Sequence, residues 1–571
     1  MKMLLRYLRP SFRVMSFGLT VKVLATLLEL MLPYILSHIL DVVVPRHSVW
    51  QILVWGGAMA LAALGAYFGN VIANRNAARV ARDTSRRIRH DLFRATMHLS
   101  ARQTDRFTIP SLESRLTSDT YNVHHFIGMM QRIGVRAPML LLGGMVITLF
   151  LDWRLALIML AILPLIGISV FWIARRGLPL YARTQDAVDG MVRVVREDCQ
   201  GVRVVKALSR EAYETARFDE ANRALVGAER RAGVLMATSQ PLMSVFLHVG
   251  LSLVIGLGAI FVQGGLSAPG RIIAFMQYFT LMSTAMSIVT RIFSQYSKCM
   301  ASAARISEVI DAEPGEEMPK SAETGAENAP HIQFEDVSFS YNGRRDNLKN
   351  ISFSLPRGGT LGVIGATGSG KTTLTRLLMH FYDADKGRVL VAGRDVRDYD
   401  EKELRARFGI VMQNDFIYAD TVAENICFGR ELSDEQIRRA AELAQAAEFI
   451  EQFPEKYDHP LTSKGTNVSG GQRQRLLIAR ALAGEPEILI LDDASSALDY
   501  RTDASLRAAI KAQTHTTVIV AQRVSSVMHA DLILVMEEGA VIAAGTHEAL
   551  LATCPTYREI SESQMGGAFL E

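Results

Sequence analysis

The chain has 571 residues, 49% of them hydrophobic and 21% charged, with a mean hydropathy of +0.15 and a net charge of +4. Such a length excludes a single domain, and such a hydropathy is high for a protein that never meets a membrane. Charge this close to balance gives no bulk attraction to nucleic acid. The four cysteines, Cys199, Cys299, Cys427 and Cys554, lie far apart, with neither metal-ligand spacing nor a paired framework, which fits free thiols in a reducing compartment.

Met1 to Pro10 is basic and amphipathic and reads as a short helix on the membrane surface. Six apolar stretches follow, near 14–44, 51–72, 137–151, 155–174, 241–262 and 271–293. A span needs about 20 apolar residues, so the third must borrow residues such as Phe126 to Met130. The first run is long and lacks the ordered parts of a cleaved signal peptide, so it is expected to stay in the membrane. Orientation follows the arginines. Arg75, Arg79, Arg82, Arg86, Arg87, Arg89, Arg94 and Arg102 follow the second stretch, and Arg175, Arg176, Arg193 and Arg196 follow the fourth. The links 45–49, 152–154 and 264–270 are short. This pattern predicts a cytoplasmic N-terminus, short outer links and long basic segments on the cytoplasmic side of a cell membrane.

Residues 73–100, 177–198, 209–238 and 294–312 keep helical periodicity, so the spans are predicted to run on into the cytoplasm as stalks. Breaks are expected near Thr108–Leu112 and Asp198–Gly201, and the stalk tips are where an engine domain would make contact. Within the spans, Lys22 and Glu29 share one helix face, and His124, His125, Arg132 and Arg136 lie on the inner half of the third. A structural ion pair or cavity wall is the favoured reading of this group over a substrate site. Met139, Met145, Met276, Met282, Met286, Phe275 and Phe279 suit either an adaptable cavity or helix packing.

Residues 313–330 are rich in Glu, Ala, Pro, Gly and Ser without a period and read as a linker. The membrane domain is thus 1–312, and a soluble α/β domain runs from His331 to the end, 331–571. Its centre is Gly365-Ala366-Thr367-Gly368-Ser369-Gly370-Lys371-Thr372, a G-x-x-x-x-G-K-[ST] phosphate loop. Thr360–Ile364 before it reads as a buried strand and Thr373–Met379 after it as a helix. That order aims backbone N–H groups and a helix N-terminus at one point, as a polyphosphate requires. Lys371 would reach the β/γ-phosphates and the Thr372 hydroxyl would hold Mg²⁺. Four further stretches join it. Tyr341 follows the alternating strand 332–339. Gln413 follows a strand-like run. Ser469-Gly470-Gly471-Gln472 opens a helix. Ile488–Asp492 is a buried strand ending in Asp492 and Asp493, where a Mg²⁺-holding acid is expected.

This set resembles the nucleotide-binding domain of ABC transporters, and the domain order with six spans resembles that superfamily's exporter half-transporters. The fold so implied is a polytopic all-α membrane domain joined to an α/β phosphate-loop ATPase. Glu197–Lys206 also looks like the family's second intracellular loop. The resemblance implies ATP and Mg²⁺ as ligands, with Thr373 completing the phosphate contacts and Thr372, Gln413 and Asp492 holding the metal. It further implies that Tyr341 stacks on adenine and that Gln413 senses the γ-phosphate. Ser469, Gly470, Gly471 and Gln472 would contact ATP bound to an opposing domain, and Asp499 would lie at the dimer seam.

Two residues depart from the family pattern. Asp493 stands where the general-base glutamate is usual, one C–C bond shorter, about 1.5 Å. Gln522 stands where a histidine is usual, and an amide cannot be protonated near neutral pH. Misplacing a catalytic group by about 1 Å can cost on the order of a hundredfold. With the binding residues intact, the pattern resembles the degenerate-site subunit of bacterial heterodimeric multidrug exporters. Its signature departs only at Val468, so it can complete a competent site on a second half-transporter. The expected partners are that subunit, membrane lipids and a small amphipathic substrate, with no nucleic acid. A slow homodimeric lipid or peptide exporter, and an ATP-binding regulatory subunit of another membrane protein, are the alternatives.

Overall fold

The computed structural model describes residues 2–312, 329–413, 415–494, 497–513 and 515–565. Most of the linker expected at 313–330, and Ser496 before the seam residue, lie outside the described residues. The chain forms two compact units: Met1–His98 with Phe107–Ala312, and Leu99–Arg106 with Glu313–Glu571.

The first unit is helical. Its chain order is α1 (Lys2–Leu8), α2 (Phe12–His38) and α3 (Val49–Met97), then, past α4 (Ala101–Phe107), which falls in the second unit up to Arg106, α5 (Ile109–Ser114), α6 (Thr120–Met129), α7 (Arg136–Leu151), α8 (Trp153–Ala207), α9 (Glu211–Ala237), α10 (Ser239–Gln263) and α11 (Pro269–Ile310). Among the described residues, five helical runs are long and apolar enough to cross a membrane: Lys2–Arg46, Val49–Met97, Ile109–Leu151, Trp153–Ala207 and Glu211–Gln263. The third reaches this length because π-helical turns at Arg115–Asp119 and Met130–Gly134 weld α5, α6 and α7 together. The sixth apolar stretch lies on α11, a helix of 42 residues. Phe275, Tyr278, Phe279 and Met282 on it are fully buried against Leu30, Leu155 and Met159. The Tyr278 hydroxyl donates to the Leu30 carbonyl at 2.6 Å. These aromatic and Met residues therefore pack helices together.

At 1.5 Å per residue, α8 is about 80 Å long and α3 about 70 Å, more than twice a hydrocarbon core of about 30 Å. The excess forms the expected helical extensions. Their breaks differ from expectation. The chain leaves α3 at His98, and Thr108 adopts a left-handed conformation (φ 60°) before α5. No break occurs at Asp198–Gly201, which stays helical inside α8. One glycine costs a helix only about 1 kcal/mol, and the sequence around Gly201 holds no proline. The turn comes instead at Leu208–Arg210, where Ser209 has φ 51°. The outer links are capped as their sequences suggest, Ser48 accepting from the Gln51 amide and Asp152 from the Arg154 amide.

The charged residues in the spans are paired between helices. Lys22 is buried and donates to Asn70 at 2.6 Å and Asn74 at 3.3 Å. Arg136 grips both oxygens of Glu29, at 3.2 and 2.5 Å. Asp119, fully buried, accepts from Arg305 and from Ser302 at 2.8 Å. These are structural pairings of the kind a low-dielectric setting demands. Helix α1 turns Leu4 and Tyr7 into the protein, with Tyr7 donating to Asp91 at 2.7 Å.

The second unit is α/β. Its strands are β1 (Ile332–Phe339), β2 (Leu348–Leu355), β3 (Thr360–Gly365), β4 (Lys386–Val391), β5 (Arg394–Asp395), β6 (Phe408–Val411), β7 (Ile488–Asp492), β8 (Thr516–Ala521), β9 (Leu532–Glu537) and β10 (Ala540–Gly545). Its helices are α12 (Lys371–Leu378), α13 (Glu401–Ala406), α14 (Val422–Cys427), α15 (Asp434–Leu443), α16 (Ala447–Glu451), α17 (Gly470–Leu482), α18 (Tyr500–Lys511), α19 (Val524–Val527), α20 (His547–Thr553) and α21 (Pro555–Met565). A six-stranded sheet has order β10-β9-β3-β8-β7-β6, parallel except for β10. Strands β3 and β7 are apolar but for the terminal Thr360 and Asp492, because a parallel sheet is covered on both faces. An antiparallel sheet, β2-β1-β4-β5, packs over α12 through Phe334, Leu348, Leu374 and Leu377. A separate apolar cluster under α14 to α17 surrounds Ile426, Leu477 and Ile478. Residues Leu99–Arg106 belong to this unit, and the Tyr382 hydroxyl donates to Asp105 at 2.5 Å.

Candidate functional site

In an open parallel sheet, ligands bind beyond the carboxyl ends of the strands. The ends of β3, β6, β7 and β8 meet here around a cavity of about 200 Å³. Thr367, Gly368, Gly370, Lys371, Thr372, Thr373, Gln413, Asp492, Asp493 and Gln522 line it, together with Asn347, Val520 and Ala521. Nine of the twelve loop, metal and catalytic positions argued from the sequence, Thr373 apart, thus face one space; Gly365, Ala366 and Ser369 complete the loop without lining it.

The loop's geometry comes from its glycines. Gly370 has φ 101°, and a Cβ there would stand 2.8 Å from the Asn347 carbonyl. Only glycine turns the chain tightly enough to start α12 at Lys371, two residues before the helix predicted from Thr373. The first N–H groups of α12 thereby open into the cavity, which favours an anion. Ser369 is buried, and its hydroxyl has no hydrogen-bond partner among the described residues. Lys371 is buried too, its ammonium donating to the carbonyls of Gly365 and Ala366 at 2.8 Å each. Burial pushes its pKa down, while Asp492 and Asp493 oppose that shift.

Asp492, at the end of β7, is buried. Burial raises its carboxyl pKa, a hydrogen bond with Thr372 lowers it, and Asp493 raises it again. A carboxylate paired with a threonine hydroxyl beside a phosphate loop suits Mg²⁺, a hard cation that takes oxygen ligands. No group of three His, Cys, Asp or Glu able to hold a metal occurs among the described residues. Gln413 lines the same cavity, and Mg²⁺ ordinarily keeps water and takes phosphate oxygens beside one or two protein ligands. Asp493 lies one residue past the strand in a left-handed conformation (φ 53°), its amide donating to the Val520 carbonyl at 2.8 Å. Burial raises its pKa, opposed by Lys371 and then Arg523.

Tyr341 does not line this cavity. It stands beside it, its hydroxyl 3.4 Å from Thr373 Oγ1 and accepting from Arg376 at 3.1 Å. Its ring meets Phe339 and Tyr382 edge-on. The signature residues also lie outside. Ser469 and Gln472 form a reciprocal cap on α17, the Gln472 amide donating to Ser469 Oγ at 3.2 Å and the Ser469 amide to Gln472 Oε1 at 2.9 Å. Ser469 and Gly470 are exposed. Asp499 caps α18, accepting from the Arg501 and Thr502 amides at 3.1 and 2.9 Å. These hydrogen bonds, the Thr502 amide's first, lower its pKa.

Several functional neighbours have no sequence signal. Asn347 lines the cavity from a loop between strands and accepts from the Tyr341 amide at 3.1 Å. Gln564 on α21, remote in sequence, clamps the segment carrying Gln522. Its Nε2 donates to the Gln522 carbonyl and its Oε1 accepts from the Val524 amide, both at 2.8 Å. Gln564→Ala is expected to lower nucleotide hydrolysis about three- to tenfold with nucleotide affinity unchanged, since sub-ångström misplacement is costly to rate. Steady-state kinetics with a binding titration on the same sample checks this, and an equal loss of affinity would contradict it.

The comparisons agree with this geometry. A family model described as ABC transporter transmembrane region matches residues 15–286, and one described as ABC transporter matches residues 348–496. The chain is 32% identical over 568 residues to the uncharacterized ABC transporter ATP-binding protein YfiB of Bacillus subtilis, covering 99% of each chain. It is 35% identical over 408 residues to the ATP-dependent lipid A-core flippase of Desulfotalea psychrophila, covering 70% of this chain and 71% of that one. A solved bacterial Atm1-family ABC exporter with ATP bound shares the fold, with a TM-score of 0.79 at 23% identity, over 97% of this chain and 99% of that one. A nucleotide-shaped loop at the end of a parallel sheet and a fused helical membrane unit thus have one explanation: the chain belongs to the ABC transporter family, as an ATP-driven exporter with membrane region and ATPase domain on one polypeptide.

Proposed function

We propose that this chain is one half of a heterodimeric exporter that moves amphipathic or hydrophobic small molecules across a bacterial cell membrane. In this reading 1–312 is the membrane domain, 313–330 the linker and 331–571 the ATPase domain, with the N-terminus and the ATPase domain cytoplasmic. The observation that carries it is the lining of one cavity: Asp493 and Gln522 sit in the same space as an unaltered set of nucleotide-binding residues. The site binds ATP and hydrolyses it slowly. Lys371, the α12 N-terminus and the loop amides hold the phosphates, Thr372 and Asp492 hold Mg²⁺ and Gln413 borders the γ-phosphate. Mg²⁺ supplies charge neutralisation for the phosphates. Asp493 must orient the attacking water with a side chain about 1.5 Å short of a glutamate. Tyr341 lies beside the loop where an adenine ring can stack. The start of α17, Ser469 to Gly471, does not line its own cavity and would complete a partner's site, with Asp499 at the seam. ATP binding would draw the two ATPase domains together, and hydrolysis at the partner's competent site would reset them.

The test is steady-state ATP hydrolysis by the purified chain alone in lipid, with nucleotide binding measured in the same sample. Binding with turnover below about a hundredth of that of the assembled pair is the expected result. Sustained turnover by the chain alone would overturn the asymmetric reading. It would favour a second one, a homodimeric lipid exporter, which the 35% identity to a protein named as a lipid A-core flippase supports.

A further inference from the structure

Trp172, Arg175, Arg176, Pro179 and Leu180 follow one another at helical spacing along a single face of α8. With Leu235 of α9 they line a groove of about 740 Å³, the size of a small-ligand pocket. The lining has two guanidinium groups and no carboxylate, and neither arginine has an acidic partner among the described residues. The Arg176 guanidinium lies 4.3 Å from the centre of the Trp172 ring, which holds it in the groove. Beside the groove α8 and α9 meet closely: a Cβ on Gly177 would stand 2.6 Å from Met236 Sδ.

The groove's depth identifies its ligand. Residues 155–174 carry no charge, so Arg175 and Arg176 are the first ions past the hydrocarbon, and Trp172 sits one turn before them, where an interfacial ring belongs. We propose that the groove binds an anionic phospholipid, its phosphodiester on Arg175 and Arg176 and its glycerol end against Trp172 and Leu235. Planar guanidiniums match a phosphodiester with paired hydrogen bonds. Basic pockets between helices at this level suit lipid head groups. A free phosphate would have the same two donors but no backbone cradle and no apolar contact. Two crossings separate Arg175 from the linker, so the lipid belongs to the leaflet on the ATPase side; calling that leaflet cytoplasmic rests on the orientation proposed above.

The full-length chain is reconstituted in bilayers of phosphatidylcholine with increasing fractions of phosphatidylglycerol brominated near the glycerol end. Tryptophan quenching is recorded for the wild type and for Trp172→Phe, and their difference isolates Trp172. At about 1 kcal/mol per basic residue beside an anionic lipid, two arginines should give brominated phosphatidylglycerol a preference on the order of tenfold over brominated phosphatidylcholine. Arg175→Gln with Arg176→Gln should abolish that preference, and Arg175→Lys with Arg176→Lys should keep most of it. The comparison of lipids on the wild type stands even if the double glutamine variant fails to fold. Equal quenching by both lipids would overturn the proposal in favour of an unselective acyl contact. No quenching by either would mean that protein covers the groove. Loss of the preference on adding inorganic phosphate would assign the site to a free anion. No ATP is needed, so the outcome is independent of transport and hydrolysis.

Discussion

Asp493→Glu combined with Gln522→His is expected to raise ATP hydrolysis at this chain's own site by on the order of tenfold to a hundredfold. Both residues line the phosphate-loop cavity, so both changes act on one reaction. Glutamate adds the missing methylene, about 1.5 Å of reach, toward the attacking water. Histidine adds a ring that can hold the γ-phosphate and take up a proton, which Gln522 cannot. Effects of catalytic groups that act together are far from additive, so each single change should recover only a small part of the gain. The left-handed backbone at Asp493 (φ 53°) favours aspartate locally, and glutamate there should cost no more than about 1 kcal/mol in stability. The measurement is single-turnover hydrolysis of radiolabelled ATP by the purified chain in lipid, parent against variant. If the double variant turns over no faster than the parent, Asp493 and Gln522 are not what limits this site.

Lys371→Ala is expected to weaken nucleotide binding by this chain at least thirtyfold. The ammonium is buried at the mouth of α12 and is the lysine that lines the cavity. Its two hydrogen bonds to loop carbonyls keep it poised over the space that the loop amides surround. Removing one partner of a desolvated charge pair costs about 2–5 kcal/mol, which is roughly thirtyfold to several thousandfold in affinity. The fold should not suffer, because the substitution removes a buried charge rather than exposing one. A titration with a fluorescent ATP analogue, alongside a thermal melt, checks both halves of the statement. Affinity within threefold of the parent would show that the loop amides hold the phosphates without it.

Much of this site was legible because its chemistry is local. The phosphate loop, the strand before it and the paired acids at the end of β7 occupy contiguous stretches whose backbone geometry follows from residue type. Gly370 must be glycine for the turn, and β3 must be apolar for a sheet covered on both faces. The membrane spans were legible for the same reason, since hydrocarbon demands an unbroken apolar run. Asp493 and Gln522 also stood out in the sequence, and the structure lines one cavity with both. The break expected at Asp198–Gly201 was misplaced because a lone glycine does not end a helix that neighbouring residues favour, and the left-handed turn fell at Ser209.

The sequence by itself determined the class of the protein: an apolar helical region, then a phosphate-loop ATPase. Tertiary structure alone decided what the remote residues do. Gln564 grips the backbone around Gln522 from 42 positions away, and Leu99–Arg106 groups with the ATPase unit rather than with the helices that flank it. Glu29 finds its partner in Arg136, 107 positions on, rather than in Lys22 one heptad away. Such contacts depend on which surfaces the fold brings within about 3 Å, and no pattern along the chain encodes that distance.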